Sequence, residues 1–547
     1  MINKELIGKT ISSIDFVSEL YYLEEYELFL KGKVQIKFDE LPKGLDFEFI
    51  ITAQYPFKDR DNESIKFINE DLLNCNHVME GGNICIHTSH NTNIEKKLII
   101  DFNSLKAWIL KYYINKDHDF NYEHIIVPEY LLDRRYITFL FTKVEYSFQK
   151  GDFGDVSLIK INEAIYKKEV NENFLVKSFK INNIEPFCQF NKHYIDSEDT
   201  AKGLFYFIKE QPVKYDRFIL KNWKDFQGLF SQEFLRFLYD LKKKNLNIPL
   251  FIGYKTVENQ IHWQVAIINL IKIPVKRTSL TITVSKKLNY ELKNEEITWA
   301  ITRDISYNYF FGRGAFSNKI TNSKILIIGI GAIGSNVAKT LTRGGCKNID
   351  IADFDVKEIE NVCRSEYFFQ HGLTDKTLEL ESILNAISPF VNVNVIKDEY
   401  FEWVMKSFYN DNDAKESLIQ NINDYDIVFD CSTDNDLMYI FNSLKLDCEI
   451  INLSITNHAK ELVCAFYPNI YDFVIKQFSN ILNNDTKNLY EPTGCWSPTF
   501  KASYNDINAL IQIALKQINL IFNEQIEKRN FVIKSDSTSA NLKIKEY

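Results

Sequence analysis

The sequence predicts a multidomain chain: an N-terminal α+β domain over residues 1–150, an α+β connecting domain over 151–304, and a C-terminal parallel α/β domain over 305–547. Three observations predict it. At 547 residues the chain is far longer than one hydrophobic core supports. Apolar and polar residues alternate with a period of two near the start, the mark of half-buried antiparallel strands. From Lys324 onward, short apolar runs alternate with helical spacing, as in a parallel sheet with crossover helices.

Within the first domain, residues 25–30, 34–38 and 47–53 read as the strands of a meander that Tyr55-Pro56 closes. Gly81-Gly82 then leads to Cys85, and residues 102–114 carry helical spacing. The connecting domain mixes a helical stretch at 232–244 with strand-like runs at 263–271 and 279–284. No chemistry stands out in it, so it reads as a scaffold. In the last domain, Lys324-Ile325-Leu326-Ile327-Ile328 predicts a buried strand, 335–343 a helix and 349–352 a second strand. Ile427-Val428-Phe429 predicts a later strand after a polar insertion at 410–424. Two short runs at 531–534 and 542–544 close the chain.

Bulk properties narrow the function. A net charge of −9 gives no overall basic face for nucleic acid or an anionic membrane. Met1-Ile2-Asn3-Lys4-Glu5 lacks the pattern of a secretory signal, and the most continuous apolar stretch, 325–333, is about half the length a spanning helix needs. A cytoplasmic protein is expected. There its nine cysteines are expected to be free thiols. With no CxxC pair to suggest structural zinc, a cysteine with a task is expected to be a nucleophile.

Gly329-Ile330-Gly331-Ala332-Ile333-Gly334 follows the strand and opens the helix. Gly329, Gly331 and Gly334 permit a tight turn and close backbone approach, and the helix N-terminus offers N–H groups to phosphate. No Lys-Ser or Lys-Thr follows, so this is not a P-loop. Alone the motif fits a dinucleotide site equally well, with Asp353 placed to hold ribose. The residues after it favour ATP. Asp353-Phe354-Asp355, Asn361, Arg364 and Lys376 put cations where pyrophosphate charge develops, and Ser432-Thr433-Asp434-Asn435 follows a strand end.

This ordered set over roughly residues 305–545 resembles the ThiF/MoeB family, whose fold is also the Rossmann-like adenylation core of ubiquitin-activating enzymes. The resemblance implies ATP and Mg²⁺ as cofactors. It gives Asp353 to the ribose, Arg364 and Lys376 to the phosphates, Asp434 to Mg²⁺, and Asn361 to support of the site. Arg313, or Arg303 nearby, would match the arginine donated across the dimers of that family. A homodimer is implied.

Two cysteines complete the reading. Gly494-Cys495-Trp496-Ser497-Pro498-Thr499-Phe500 follows a polar stretch and precedes a helix beginning near Asp506, a setting suited to a nucleophile that captures an acyl-adenylate as thioester. It resembles the C-terminal catalytic cysteine segment of bacterial fused activating enzymes. Gly82-Asn83-Ile84-Cys85-Ile86-His87-Thr88 resembles the ubiquitin-conjugating motif over about residues 20–150, without its His-Pro-Asn. His77, Asn83 and His87 are the candidates to replace that asparagine. The domain order resembles the fused enzyme of CBASS antiphage operons. That resemblance implies a protein C-terminal carboxylate as substrate, belonging to a cGAS-like nucleotidyltransferase, and a target amine as acceptor. The alternative is a ThiF-type activator of a sulfur carrier.

Overall fold

The computed structural model describes residues 3–59, 62–117, 127, 137–161, 172–241, 247–256, 258–282, 285–396, 399–481, 501–536 and 538–547. Its larger sheets follow one another along the chain. In the first, Val17–Glu25, Phe29–Phe38, Leu41–Thr52 and Ile65–Ile68 pair antiparallel in sequence order. Alternate residues face inward, so Val34, Ile36, Phe47, Phe49 and Ile51 are buried against Leu98, Phe102 and Leu105 of the helix Ile94–Trp108. That helix starts before the expected residue 102 because the Asn93 side chain accepts from the Lys96 amide and caps it. Residues 25–30, expected as a strand, straddle a turn instead: the first strand ends at Glu25, and the Tyr26 amide bonds the Phe29 carbonyl at 2.9 Å.

The middle sheet has eight strands, in the order Thr298–Trp299, Ile261–Asn269, Asn247–Lys255, Ala201–Lys209, Phe153–Lys160, Glu172–Lys180, Ile137–Phe141 and Ile301–Asp304. Ile137–Phe141 falls within the expected first domain, yet it is hydrogen-bonded here. One face is filled by aromatic rings, with Phe179 stacked on Trp263 at 4.5 Å. From this unit Asn191 reaches the third one, its side-chain Nδ2 donating to Asn385 Oδ1 at 3.0 Å and to the Val391 carbonyl at 2.8 Å.

The third sheet runs Asn392–Val395, Asn348–Ala352, Lys324–Ile328, Ile427–Asp430, Glu449–Ile455, Glu461–Phe466, Phe531–Ser535 and Leu542–Glu546. The first five are parallel and the last three antiparallel. Both faces are covered. Ile325 and Ile327 pack under the helices Ala332–Arg343, Lys376–Ile387 and Tyr504–Phe522, whereas Leu326 and Ile328 pack on the opposite face. Double burial explains the unbroken apolar run. Residues 410–424, expected as a polar insertion, form the helix Asn412–Asn423, whose Ala414, Leu418 and Ile422 are buried at four-residue spacing. Because the chain moves outward from the central strand Lys324–Ile328 first to one side and then to the other, a crevice opens at its carboxyl end. An open α/β sheet binds its ligand at that switch point.

Candidate functional site

Gly329 leaves the central strand with φ +77°, and a Cβ there would lie 2.4 Å from the Ser432 Cα. A Cβ on Gly334 would lie 2.1 Å from the Gly329 carbonyl oxygen. Both glycines are therefore required by the close passage of the turn, the first by its backbone angle as well. Gly331 differs. A Cβ there would meet nothing within 4 Å, so its exposed side is open to an approaching group. It caps the helix Ala332–Arg343, whose first amides are without partners in that helix.

Asp353, one residue beyond the neighbouring strand, holds this turn. One carboxylate oxygen accepts from the Ile330 amide and the other from the Asp355 amide, both at 2.8 Å. Burial pushes its pKa up, against the pull of the Lys376 charge. Lys376, itself buried, lies 2.7 Å from Asp355 Oδ2 and 3.5 Å from Asp353 Oδ1. Glycine turn, acidic pair and lysine thus form one connected cluster.

Across the crevice, Asp430 is buried at the end of its strand and accepts from the Ser432 amide and hydroxyl. Asp434 follows, one carboxylate oxygen capping the helix Asn435–Ser443 through the amides of Asp436 and Leu437. Phe354, Ser432, Thr433, Asp434, Asn435 and Asp436 line a cavity of about 510 Å³. Its hydroxyl and carboxylate oxygens are the donor set a hard cation takes, and Mg²⁺ needs only one or two protein carboxylates beside phosphate oxygens and water.

Asn361 and Arg364 lie on the segment joining Asp355 to Lys376. The Asn361 side-chain oxygen accepts from the Glu358 amide at 2.9 Å, closing a short turn. Arg364 is half-buried. Sequence reasoning missed what holds this segment in place. Lys357 and Glu379 form a buried ion pair at 2.5 Å, Glu379 also accepts from the Phe368 amide, and the Tyr367 hydroxyl donates to the Ile330 carbonyl at 2.6 Å. Glu366 is likewise buried, accepting from Tyr504, Asn336 and Lys339. Burying Lys and Glu residues without a partner is costly, but no local pattern reveals which ones will meet. Arg313 is exposed, whereas Arg303 sits in the edge strand of the middle sheet.

Cys85 belongs to the first unit and is half-buried; burial pushes its thiol pKa up. Its amide donates to the His77 carbonyl at 2.7 Å. Of the three residues considered as the missing asparagine, the His77 ring lies on Tyr112 at 4.6 Å and His87 is exposed. Asn83 has a buried Oδ1 without a hydrogen-bond partner among the described residues. Two residues apart in an extended segment, Asn83 and Cys85 project to the same side. Cys75 is buried and Cys363 exposed. Cys495 lies outside the described residues. Among them, no helix is long and apolar enough to cross a membrane.

Parts of the chain are similar to known proteins. The ATP-dependent ubiquitin transferase-like protein Cap2 of Enterobacter hormaechei subsp. hoffmannii is 24% identical over 330 residues, 54% of this chain and 53% of that protein. The molybdopterin-synthase adenylyltransferase of Haemophilus influenzae is 29% identical over 142 residues, 26% of this chain and 52% of that one. The chain spans about half the length of the curated relatives it matches. Among solved structures, E. coli MccB with ATP aligns at 18% identity and a TM-score of 0.30, over 42% of this chain and 64% of that one. The span that matches the ThiF family, residues 302–447, contains the glycine turn, the Asp353–Lys376 cluster and Asp434, and the chain therefore carries a ThiF-family domain.

Proposed function

We propose that this protein adenylates the C-terminal carboxylate of a protein substrate with ATP, then relays the acyl group through thioesters on Cys495 and Cys85 to an amine. The observation that carries the first step is the Gly331–Asp353–Lys376 cluster at the switch point. The ribose hydroxyls would donate to Asp353, which already accepts two amides but, as a carboxylate, has about four lone-pair sites. The β- and γ-phosphates would meet Arg364 and Lys376, with the helix N-terminus at Gly331 facing negative charge. Asp434 would hold Mg²⁺, which neutralises phosphate charge when bound.

The substrate carboxylate attacks the α-phosphorus, an acyl–phosphate bond forms and pyrophosphate leaves. The Cys495 thiolate then attacks the acyl carbon and AMP leaves. Exchange to Cys85 regenerates the Cys495 thiol, and a target amine finally displaces the Cys85 thiolate, giving up a proton as the amide forms. Two features favour a ubiquitin-conjugating-like role for the first unit. Its meander packs on one long helix, and Cys85 lies on the loop between them. The likeness to the ubiquitin transferase-like protein supports the relay. By the resemblance of its domain order to the fused enzyme of CBASS antiphage operons, the chain would act in the cytosol as a homodimer, in antiphage signalling, with a cGAS-like nucleotidyltransferase as the activated protein. The adenylyltransferase relative keeps a second reading open, activation of a ubiquitin-like sulfur carrier without use of Cys85.

A Cys85→Ser chain expressed in its native host decides between them. An oxyester survives a denaturing, reducing gel, so a partner joined through its C-terminus to the introduced serine supports the relay and names the substrate. If AMP still forms and no adduct appears at that position, the relay reading is overturned and the carrier reading replaces it.

A further inference from the structure

We infer that Arg217, in the middle unit, is a positioning residue for Cys85, holding from outside the loop on which that thiol is carried. The inference rests on the reading of Cys85 as an acyl acceptor and gives chemical work to a region that the sequence left as scaffold.

The geometry begins with a small hairpin. Val213–Lys214 and Phe218–Ile219 pair antiparallel, and the turn between them places Tyr215 at φ 51° and Asp216 at φ 58°. Two consecutive non-glycine residues in the left-handed region are uncommon, and such conformations persist where the surroundings hold them. The turn delivers Arg217, whose side chain is buried although it carries a full charge. Its Nε donates to the Val78 carbonyl at 3.1 Å, its Nη2 to the Leu73 carbonyl, and its plane lies over the Phe218 ring at 4.9 Å. Beside it, Lys221 and Glu80 form an exposed ion pair at 2.5 Å.

What Arg217 grips is the strained part of the Cys85 loop. Leu73 and Val78 flank His77, which stands at φ 59°. The His77 carbonyl accepts the Cys85 amide, Val78 bridges to Ile84, and the Met79 amide bonds the Asn83 carbonyl at 2.8 Å. From the other side, Trp108 Nε1 donates to the Asn76 carbonyl at 3.2 Å. A forked guanidinium presents two rigidly related N–H donors and so fixes the relative orientation of the two carbonyls, whereas an ammonium on its flexible stem can bond both without fixing it. Removing it leaves two carbonyls short of donors next to a left-handed residue, so the loop relaxes and the half-buried thiol becomes more exposed.

The test is alkylation of the full chain by iodoacetamide over about pH 7 to 10, read at Cys85 by peptide mass spectrometry, with exposed Cys363 as internal reference. In Arg217→Ala, Cys85 is expected to label roughly five-fold faster with its pH profile moved toward lower pH, Cys363 staying as in wild type. Arg217→Lys should fall between the two. Wild-type rate and profile at Cys85 in a cooperatively melting Arg217→Ala chain would overturn the inference. Should that variant not fold, Glu80→Gln with Lys221→Met loosens the same contact from its exposed side. Faster Cys85 labelling then supports the clamp, and unchanged labelling refutes it. Labelling needs neither ATP nor an acyl donor, so it reports on Arg217 even where the Cys85→Ser trap captures nothing.

Discussion

Lys376 bridges two carboxylates, its ammonium 2.7 Å from Asp355 and 3.5 Å from Asp353, and so ties the end of one strand to the start of the helix Lys376–Ile387. Asp353 in turn fixes the glycine turn through the Ile330 amide. A single cation therefore bears on both the position of the turn and the charge balance of an acidic pair in which the Asp353 side chain is buried and Asp355 is exposed. Positive charge at this place suits a nucleotide from which pyrophosphate must leave, since hydride transfer develops no such charge on phosphate.

Lys376→Met tests that role. Pyrophosphate exchange, measured with the captured substrate, is expected to fall by roughly 10²–10³, the scale seen when one electrostatic contact to a transition state is removed. Exchange within ten-fold of wild type (about 1.4 kcal/mol) would remove Lys376 from the phosphate site.

The Lys357–Glu379 pair should behave as a buried structural ion pair. Glu379→Gln leaves the Lys357 charge buried alone and is expected to cost about 3–5 kcal/mol, whereas Lys357→Met with Glu379→Leu recovers most of it. Burial pushes the Glu379 carboxyl up, but Lys357, the Phe368 amide and His371 outweigh it and its pKa lies below the usual value. Its stabilisation is therefore complete above the unfolded carboxyl pKa of about 4.3 and is lost as pH falls through the lower folded value. Melting curves should show the gap between wild type and Glu379→Gln closing on that acid limb; a pH-independent gap counts against the pair.

What the sequence made legible was local. The strand at Lys324, the glycine turn and the acid at Asp353 announce themselves because an unbroken apolar run, glycines at fixed offsets and a helix start lie within thirty residues of each other. The helix Asn412–Asn423 was hidden because only Ala414, Leu418 and Ile422 of its residues are buried, and its polar side chains read as a loop. Tyr367, Glu379 and Arg217 were not legible at all. Each acts on a residue far along the chain, and nothing local marks a Tyr, Glu or Arg that will be buried by such a contact.

His262 offers a test in the middle unit. It is half-buried beside Phe141 and Tyr254, and desolvation, with the charge of Arg303 adding, pulls its pKa down to about 4. The folded chain resists protonation there while the unfolded chain binds the proton, so stability is complete above the unfolded pKa of about 6.5 and declines as pH falls toward 4. His262→Phe should match wild type near pH 7.5 and gain on it by roughly 1.4 kcal/mol per pH unit below about 6.5, in thermal melts at fixed salt. A constant difference across that range would show that His262 does not titrate between the two states.

Asn83 is the residue through which the missing His-Pro-Asn is best tested. A buried Oδ1 without a partner costs stability unless something compensates, and the group sits on the same side of an extended segment as Cys85, two residues away. The side-chain amide of such an asparagine can present its N–H to the oxyanion formed when an amine attacks the thioester. Asn83→Ala removes that donor and also the stranded acceptor, so folding should be unharmed or slightly improved. Thioester at Cys85 should still form, while its discharge to amine slows by roughly 10²-fold or more. Loading and discharge, followed separately on non-reducing gels, distinguish the outcomes. Discharge at the wild-type rate would return the oxyanion role to His77 or His87, and failure to load would mean that Asn83 serves the loop rather than the reaction.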